Sequence, residues 1–135
     1  MTEAVLDVSV VLKWFHSEGE GHVEAARSLR ERFEAGELRV MAPPLLWLEV
    51  LNVAARSWRL SAAQLDRLAA TLPELGFELA EPDLAGVAAW AAHGLTAYDA
   101  AYVALAEQTG ARLVTDDAEI VRTASELATP LAGYS

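Results

Sequence analysis

The sequence contains no cysteine. That excludes disulfides and thiolate metal sites, and it suits a reducing compartment. Lys13 is its only lysine, and ten basic residues face twenty acidic ones, for a formal net charge of −10. This balance disfavours tight, non-specific nucleic-acid binding, which depends on Lys and Arg neutralising phosphates. Phosphate chemistry on such a chain needs positive charge from another source, and a metal ion can supply it. No apolar run approaches the roughly 18 residues of a membrane span. The N-terminus has no basic region leading into an apolar stretch, so no signal peptide is expected and the expected location is the cytoplasm. GxGxxG and GxxxxGK(S/T) loops are absent, which argues against a nucleotide-cradling turn. There is no GxSxG elbow. His16, His22 and His93 are scattered without zinc-ligand spacing and read as surface or capping residues.

What is present is a chain of 135 residues that is 53% hydrophobic, which suits a single folded domain spanning residues 1–135. Short β-like runs alternate with longer helical ones. Strands are expected at Ala4–Asp7, Arg39–Ala42, Phe77–Leu79 and Arg112–Thr115, with a weak edge strand at Pro130–Ala132. Ser9 is the expected cap of a helix through Trp14. Further helices are expected over His22–Ala35, from Pro43-Pro44 to Trp58, from Ser61 to Pro73, over Leu84–Ala92, Tyr98–Gln108 and Asp117–Leu127. Ser61 and Gln64 have capping-box spacing. Strands separated by helices imply right-handed βαβ units, so the expected architecture is an α/β/α sandwich around a parallel sheet of four to five strands.

Four acidic positions stand out. In an open parallel sheet, sites form beyond the carboxyl ends of the strands. Asp7 ends the first strand, and Asp116 and Asp117 follow the Arg112–Thr115 strand, so these acids share one rim. Each also suits a helix N-cap. Glu49 lies on or beside the apolar face made by Leu45, Leu46 and Val53. Asp99 precedes Tyr102 and Val103 on another apolar helix, and it also suits a first helical turn. A carboxylate taken from water needs a partner or a metal. Carboxylates gathered at one point raise one another's pKa, and a divalent cation removes the conflict. All-oxygen ligands favour Mg²⁺ or Mn²⁺. Position alone does not choose between Asp116 and Asp117.

Leu6-Asp7-Val8-Ser9-Val10-Val11-Leu12-Lys13-Trp14 resembles the opening of PIN-domain proteins, especially VapC-type toxins. Leu95 to Ala106, containing Tyr98-Asp99-Ala100-Ala101-Tyr102, resembles their third acidic motif, and Leu113-Val114-Thr115-Asp116-Asp117 resembles their strand-ending T-x-D element. Glu49 falls where their second acid stands. The resemblance runs along essentially the whole chain. It implies a PIN-like fold and four catalytic acids at Asp7, Glu49, Asp99 and Asp117, with Asp117 favoured over Asp116 by the T-x-D spacing. It assigns Ser9 and Thr115 to supporting polar positions. It also implies a Mg²⁺- or Mn²⁺-dependent endoribonuclease toxin, neutralised by a VapB-type antitoxin and forming a homodimer.

On this reading, Asp7 and Asp99 are the direct metal ligands. Glu49 serves a second metal or the attacking water, and Asp117 acts through water. Lys13, Arg56 and Arg59 are candidate RNA contacts or ordinary surface. Trp14, Phe15, Trp47, Trp58 and Trp90 are core residues or part of a dimer or antitoxin face. The alternative is a PIN-like protein-binding module with weak or no nuclease activity. A receiver-like phosphoacceptor domain is excluded, because it needs paired acids after the first strand and a lysine near the last.

Overall fold

In the computed structural model, which describes residues 1–134, β1 (Thr2–Leu6) lies at the centre of a parallel five-stranded sheet. The predicted domain end at Ser135 falls outside the described residues. The other strands are β2 (Leu38–Ala42), β3 (Glu78–Leu79), β4 (Arg112–Thr115) and β5 (Ala128–Pro130), in the order β3-β2-β1-β4-β5. Ala4, Val5 and Leu6 are fully buried, as expected of a central parallel strand covered on both faces. β1 aligns Ala4 with both Val40 and Arg112, and Leu6 with Val114. The sheet grows from β1 in one direction through β2 and β3, then in the other through β4 and β5. The carboxyl ends of β1 and β4 therefore meet where the winding reverses, which is where such sheets form a crevice.

Among the described residues, seven α-helices connect the strands: α1 (Val8–Phe15), α2 (Val23–Glu34), α3 (Leu45–Arg56), α4 (Ala62–Thr71), α5 (Leu84–Ala91), α6 (Ala97–Thr109) and α7 (Ala118–Thr123). The Ser61–Gln64 capping box opens α4 with both of its reciprocal hydrogen bonds. Ala100 through Ala106 of α6 are all buried, the pattern of a helix enclosed by its neighbours. α6 packs on β1, β4 and α5. Gly86 makes the α5 contact close: an added Cβ would lie 3.3 Å from the Cβ of Ala104, tighter than ordinary packing. α6 ends at Gly110, whose φ of 75° suits a left-handed C-cap. Trp14 and Trp47 belong to an aromatic cluster with Phe33 and Phe77, at centroid distances of 5.2–5.9 Å. Phe15 and Trp90 pack against the edge of the core, and Trp58 stacks on His16 at 4.7 Å.

The structure corrects several boundaries. Helix α1 begins at Val8, so Ser9 lies in its first turn and Asp7 takes the N-cap position. Helix α7 stops at Thr123 instead of running to Leu127, because the chain must turn back to the sheet. Leu127 accepts a bond from the Leu113 amide, and Ala128 pairs with Leu113. The fifth strand is therefore Ala128–Pro130, two residues earlier than expected. Leu131–Gly133 forms a 3₁₀ turn closed by the Tyr134 amide. No described helix is long and apolar enough to cross a membrane.

Candidate active site

Asp7 occupies an N-cap position but does not cap its helix. Its carboxylate instead accepts the Ser9 hydroxyl at 2.6 Å and the Thr115 hydroxyl at 2.7 Å. Those hydroxyls are oriented in turn by backbone amides. Ser9 Oγ accepts from the Asp116 N–H at 2.9 Å, and Thr115 Oγ1 accepts from the Asp117 N–H at 3.0 Å. The first turn of α1 and the end of β4 thus clamp one acid between them. Asp7 is only 3% exposed. Burial pushes its carboxyl up to about 6; the two hydroxyls offset part of that rise, and the charges of Asp117 and Asp99 add to it.

Glu49 sits on α3 beside the buried face formed by Leu46, Val50 and Ala54. The phenol of Tyr102, on α6, donates to its carboxylate. Burial raises the Glu49 carboxyl, the Tyr102 bond lowers it, and Asp99 raises it. Tyr102 is 1% exposed. Burial, then the Glu49 bond and charge, push its phenol well above the ordinary range, so it stays protonated as a donor. A groove of about 360 Å³ beside Glu49 is bordered by Val8, Asn52 and Tyr98.

Asp99 lies in the first turn of α6, where its amide donates to the capping hydroxyl of Thr96 at 3.0 Å. Burial is the main cause raising its carboxyl; Asp117 adds to the rise, Thr96 opposes it, and Glu119 adds again. Asp117 does cap its helix: Oδ1 accepts from the amides of Glu119 and Ile120 at 2.9 and 3.1 Å. Only Oδ2 is left for other chemistry.

Asp7, Asp99 and Asp117 therefore act on one another electrostatically, and Glu49 joins them through Asp99. Among the described residues, none of them has a basic partner within ion-pair distance. Nor do any three Asp, Glu or His side chains close into a metal-ligating group among those residues. The donor set is all oxygen and mutually repulsive, which fits a hard cation that keeps part of its water shell.

Asp116 stands apart from this set. It bonds Lys13 at 3.1 Å and His22 Nδ1 at 2.8 Å. Lys13 also reaches Glu20 at 3.1 Å, and its side chain is 5% exposed. The Lys13 ammonium is thus engaged inside the protein, which corrects its reading as a candidate RNA contact. Burial pulls its pKa down, but the bonds and charges of Glu20 and Asp116 prevail and raise it. Sequence reasoning missed Tyr102, Thr96 and the His22–Asp116 pair. Thr96-x-x-Asp99 carries a capping signature and could have been found. The other two are tertiary and leave no local signal.

The PIN-domain profile matches residues 4–126. Over 38 residues the chain is 53% identical to Ribonuclease VapC3 of Pyrobaculum aerophilum, a match that covers 28% of this chain and 29% of that protein. The chain thus spans less than a third of that relative's length. The crystal structure of PAE2754 from Pyrobaculum aerophilum has a TM-score of 0.68 and 26% identity, covering 97% of this chain and 92% of that one. The profile match runs from β1 past α7 and takes in every segment that carries these acids; the chain belongs to the PIN-domain family.

Proposed function

We propose that this protein is a divalent-metal-dependent endoribonuclease, a VapC-type toxin neutralised by a VapB-type antitoxin, acting in the cytoplasm. The observation that supports the reading is the mutual electrostatic influence of Asp7, Asp99 and Asp117, which Glu49 joins through Asp99, with no basic side chain in ion-pair distance of any of the four among the described residues. Family membership and the name of the VapC3 relative support the substrate class.

The donor set suits Mg²⁺ or Mn²⁺, held by Asp7 and Asp99, with Glu49 and Asp117 acting on a second ion or through water. When bound, such an ion acidifies and orients a water and neutralises charge developing on a phosphodiester. The protein's own contribution is positioning. Ser9 and Thr115 fix both oxygens of Asp7. Tyr102 fixes Glu49. The amides at the start of α7 fix one oxygen of Asp117 and leave the other available.

The partners of this reading, an antitoxin and a second copy of the chain, are supported by exposed apolar side chains near the site. Leu48 is 71% exposed, Leu84 81% and Tyr98 66%. All three line one hollow of about 370 Å³. Apolar groups clustered in this way mark contact surfaces. The same surface favours the second reading, a PIN-like binding module with weak or no nuclease activity.

Cleavage assays separate the two. The nuclease reading expects RNA cleavage with Mg²⁺ or Mn²⁺ that stops with a chelator and in folded Asp7→Asn protein. A tight partner complex without metal-dependent cleavage of any RNA would favour the binding module.

A further inference from the structure

RNA approaching this protein meets a net charge of −10, and most basic side chains are already engaged. Lys13, Arg27, Arg30 and Arg39 pair with acids. Arg112 binds Thr129 and backbone carbonyls, and Arg32 lies over the Tyr134 ring. Among the described residues, Arg56, Arg59, Arg67 and Arg122 have no such partner; of these four, Arg122 lines a hollow of about 360 Å³ that also includes Thr115 and Asp117 of the acid rim. His22 borders the same hollow. Its backbone is left-handed (φ 56°), an uncommon state for a non-glycine residue. Its Nδ1 is held by Asp116 at 2.8 Å, which leaves Nε2 as its second polar atom. Asp116 also lines the hollow, but its carboxylate is ion-paired with Lys13 and hydrogen-bonded to His22 Nδ1. Val121 and Pro130 supply apolar surface.

We propose that this hollow is a subsite for a phosphodiester next to the one attacked, with Arg122 as the phosphate contact and His22 Nε2, whose ring gives its Nδ1–H to Asp116, accepting from the ribose 2′-hydroxyl. The proposal rests on the nuclease reading above. The guanidinium fork matches two phosphate oxygens, and the adjoining apolar surface suits a ribose or a base. Asp117 borders both the hollow and the acid rim, so a chain lying here would run on towards the acids.

The test uses the full-length protein, a labelled single-stranded RNA that the wild type cleaves, and the variants Arg122→Gln, Arg122→Lys, His22→Asn and Arg67→Gln. Circular dichroism checks each fold. Arg122→Gln is expected to raise KM roughly tenfold, the loss of one charge-assisted contact, with kcat and Mn²⁺ affinity unchanged. Its binding should lose about one unit of slope against log salt. Lysine should restore part of the affinity, and His22→Asn should raise KM by less. Arg67→Gln, an exposed change on α4, should leave KM unchanged. Cleaving enzyme with the same KM and salt slope in Arg122→Gln as in Arg67→Gln would overturn the subsite while leaving the nuclease reading intact. Wild-type protein that neither binds nor cleaves RNA with Mg²⁺ or Mn²⁺ would overturn both.

Discussion

Tyr102 donates its phenolic hydrogen to Glu49 across 53 residues of sequence, fastening α6 to α3 at the mouth of the acid rim. Tyr102→Phe removes that donor with little change in volume. It should destabilise the fold by about 1–2 kcal/mol and lower cleavage about tenfold, because Glu49 is no longer held. The bond is the influence that lowers the Glu49 carboxyl. Its loss should therefore move the acid limb of the pH–rate profile upward. A denaturation curve and a pH series check both; an unmoved acid limb would count against Tyr102 as the group that positions Glu49.

Asp7 gives a pH-dependent stability of known sign. Its carboxyl rises from 3.8 to about 6 on folding, so the folded state binds the extra proton between those values. Stability from this group is present below about pH 4 and is lost as pH climbs towards 6, a change of about 3 kcal/mol. In chelator, Asp7→Asn should melt several degrees above wild type at pH 8 while losing activity, and the gap should close at pH 4. Scanning calorimetry at the two pH values decides it. A wild type that outlasts the variant at pH 8 would contradict the role given to burial.

Asp117 performs two tasks with two oxygens. Asp117→Asn retains an acceptor for the Glu119 and Ile120 amides and should keep wild-type stability while losing cleavage. Asp117→Ala should lose cleavage and also about 1 kcal/mol of stability, as a missing N-cap does. Urea midpoints measured beside cleavage rates separate the two tasks.

Asp116 should behave in the opposite way. Asp116→Ala leaves the buried Lys13 ammonium with Glu20 alone and should cost about 1–3 kcal/mol. Mn²⁺ affinity should change little. Loss of Mn²⁺ binding in folded Asp116→Ala protein would move this residue into the metal set.

Local signals made much of the molecule legible before its structure. The run Ala4–Leu6 reads as a buried strand because it is apolar without alternation. Ser61 and Gln64 specify a capping box within four residues. Glu49 and Asp99 stand out because each interrupts an apolar pattern. Other features were not legible because their partners are distant in sequence. Ser9 reads as a cap, yet its hydroxyl serves Asp7 and the Asp116 amide from the far end of the chain. Lys13 reads as a surface cation until Asp116 is folded against it. The last strand is three residues long, and its register is set by pairing with β4 rather than by its own pattern. Trp14 and Trp47 were ambiguous between core and interface until Phe33 and Phe77 met them.

The most direct test of the acid rim as a metal centre is a calorimetric Mn²⁺ titration of wild-type, Asp7→Asn and Asp99→Asn proteins, each shown to be folded. The expected result is saturable binding by the wild type and at least about a tenfold loss of affinity in each variant, as removing a charged ligand implies. Undiminished Mn²⁺ binding by both folded variants would contradict it.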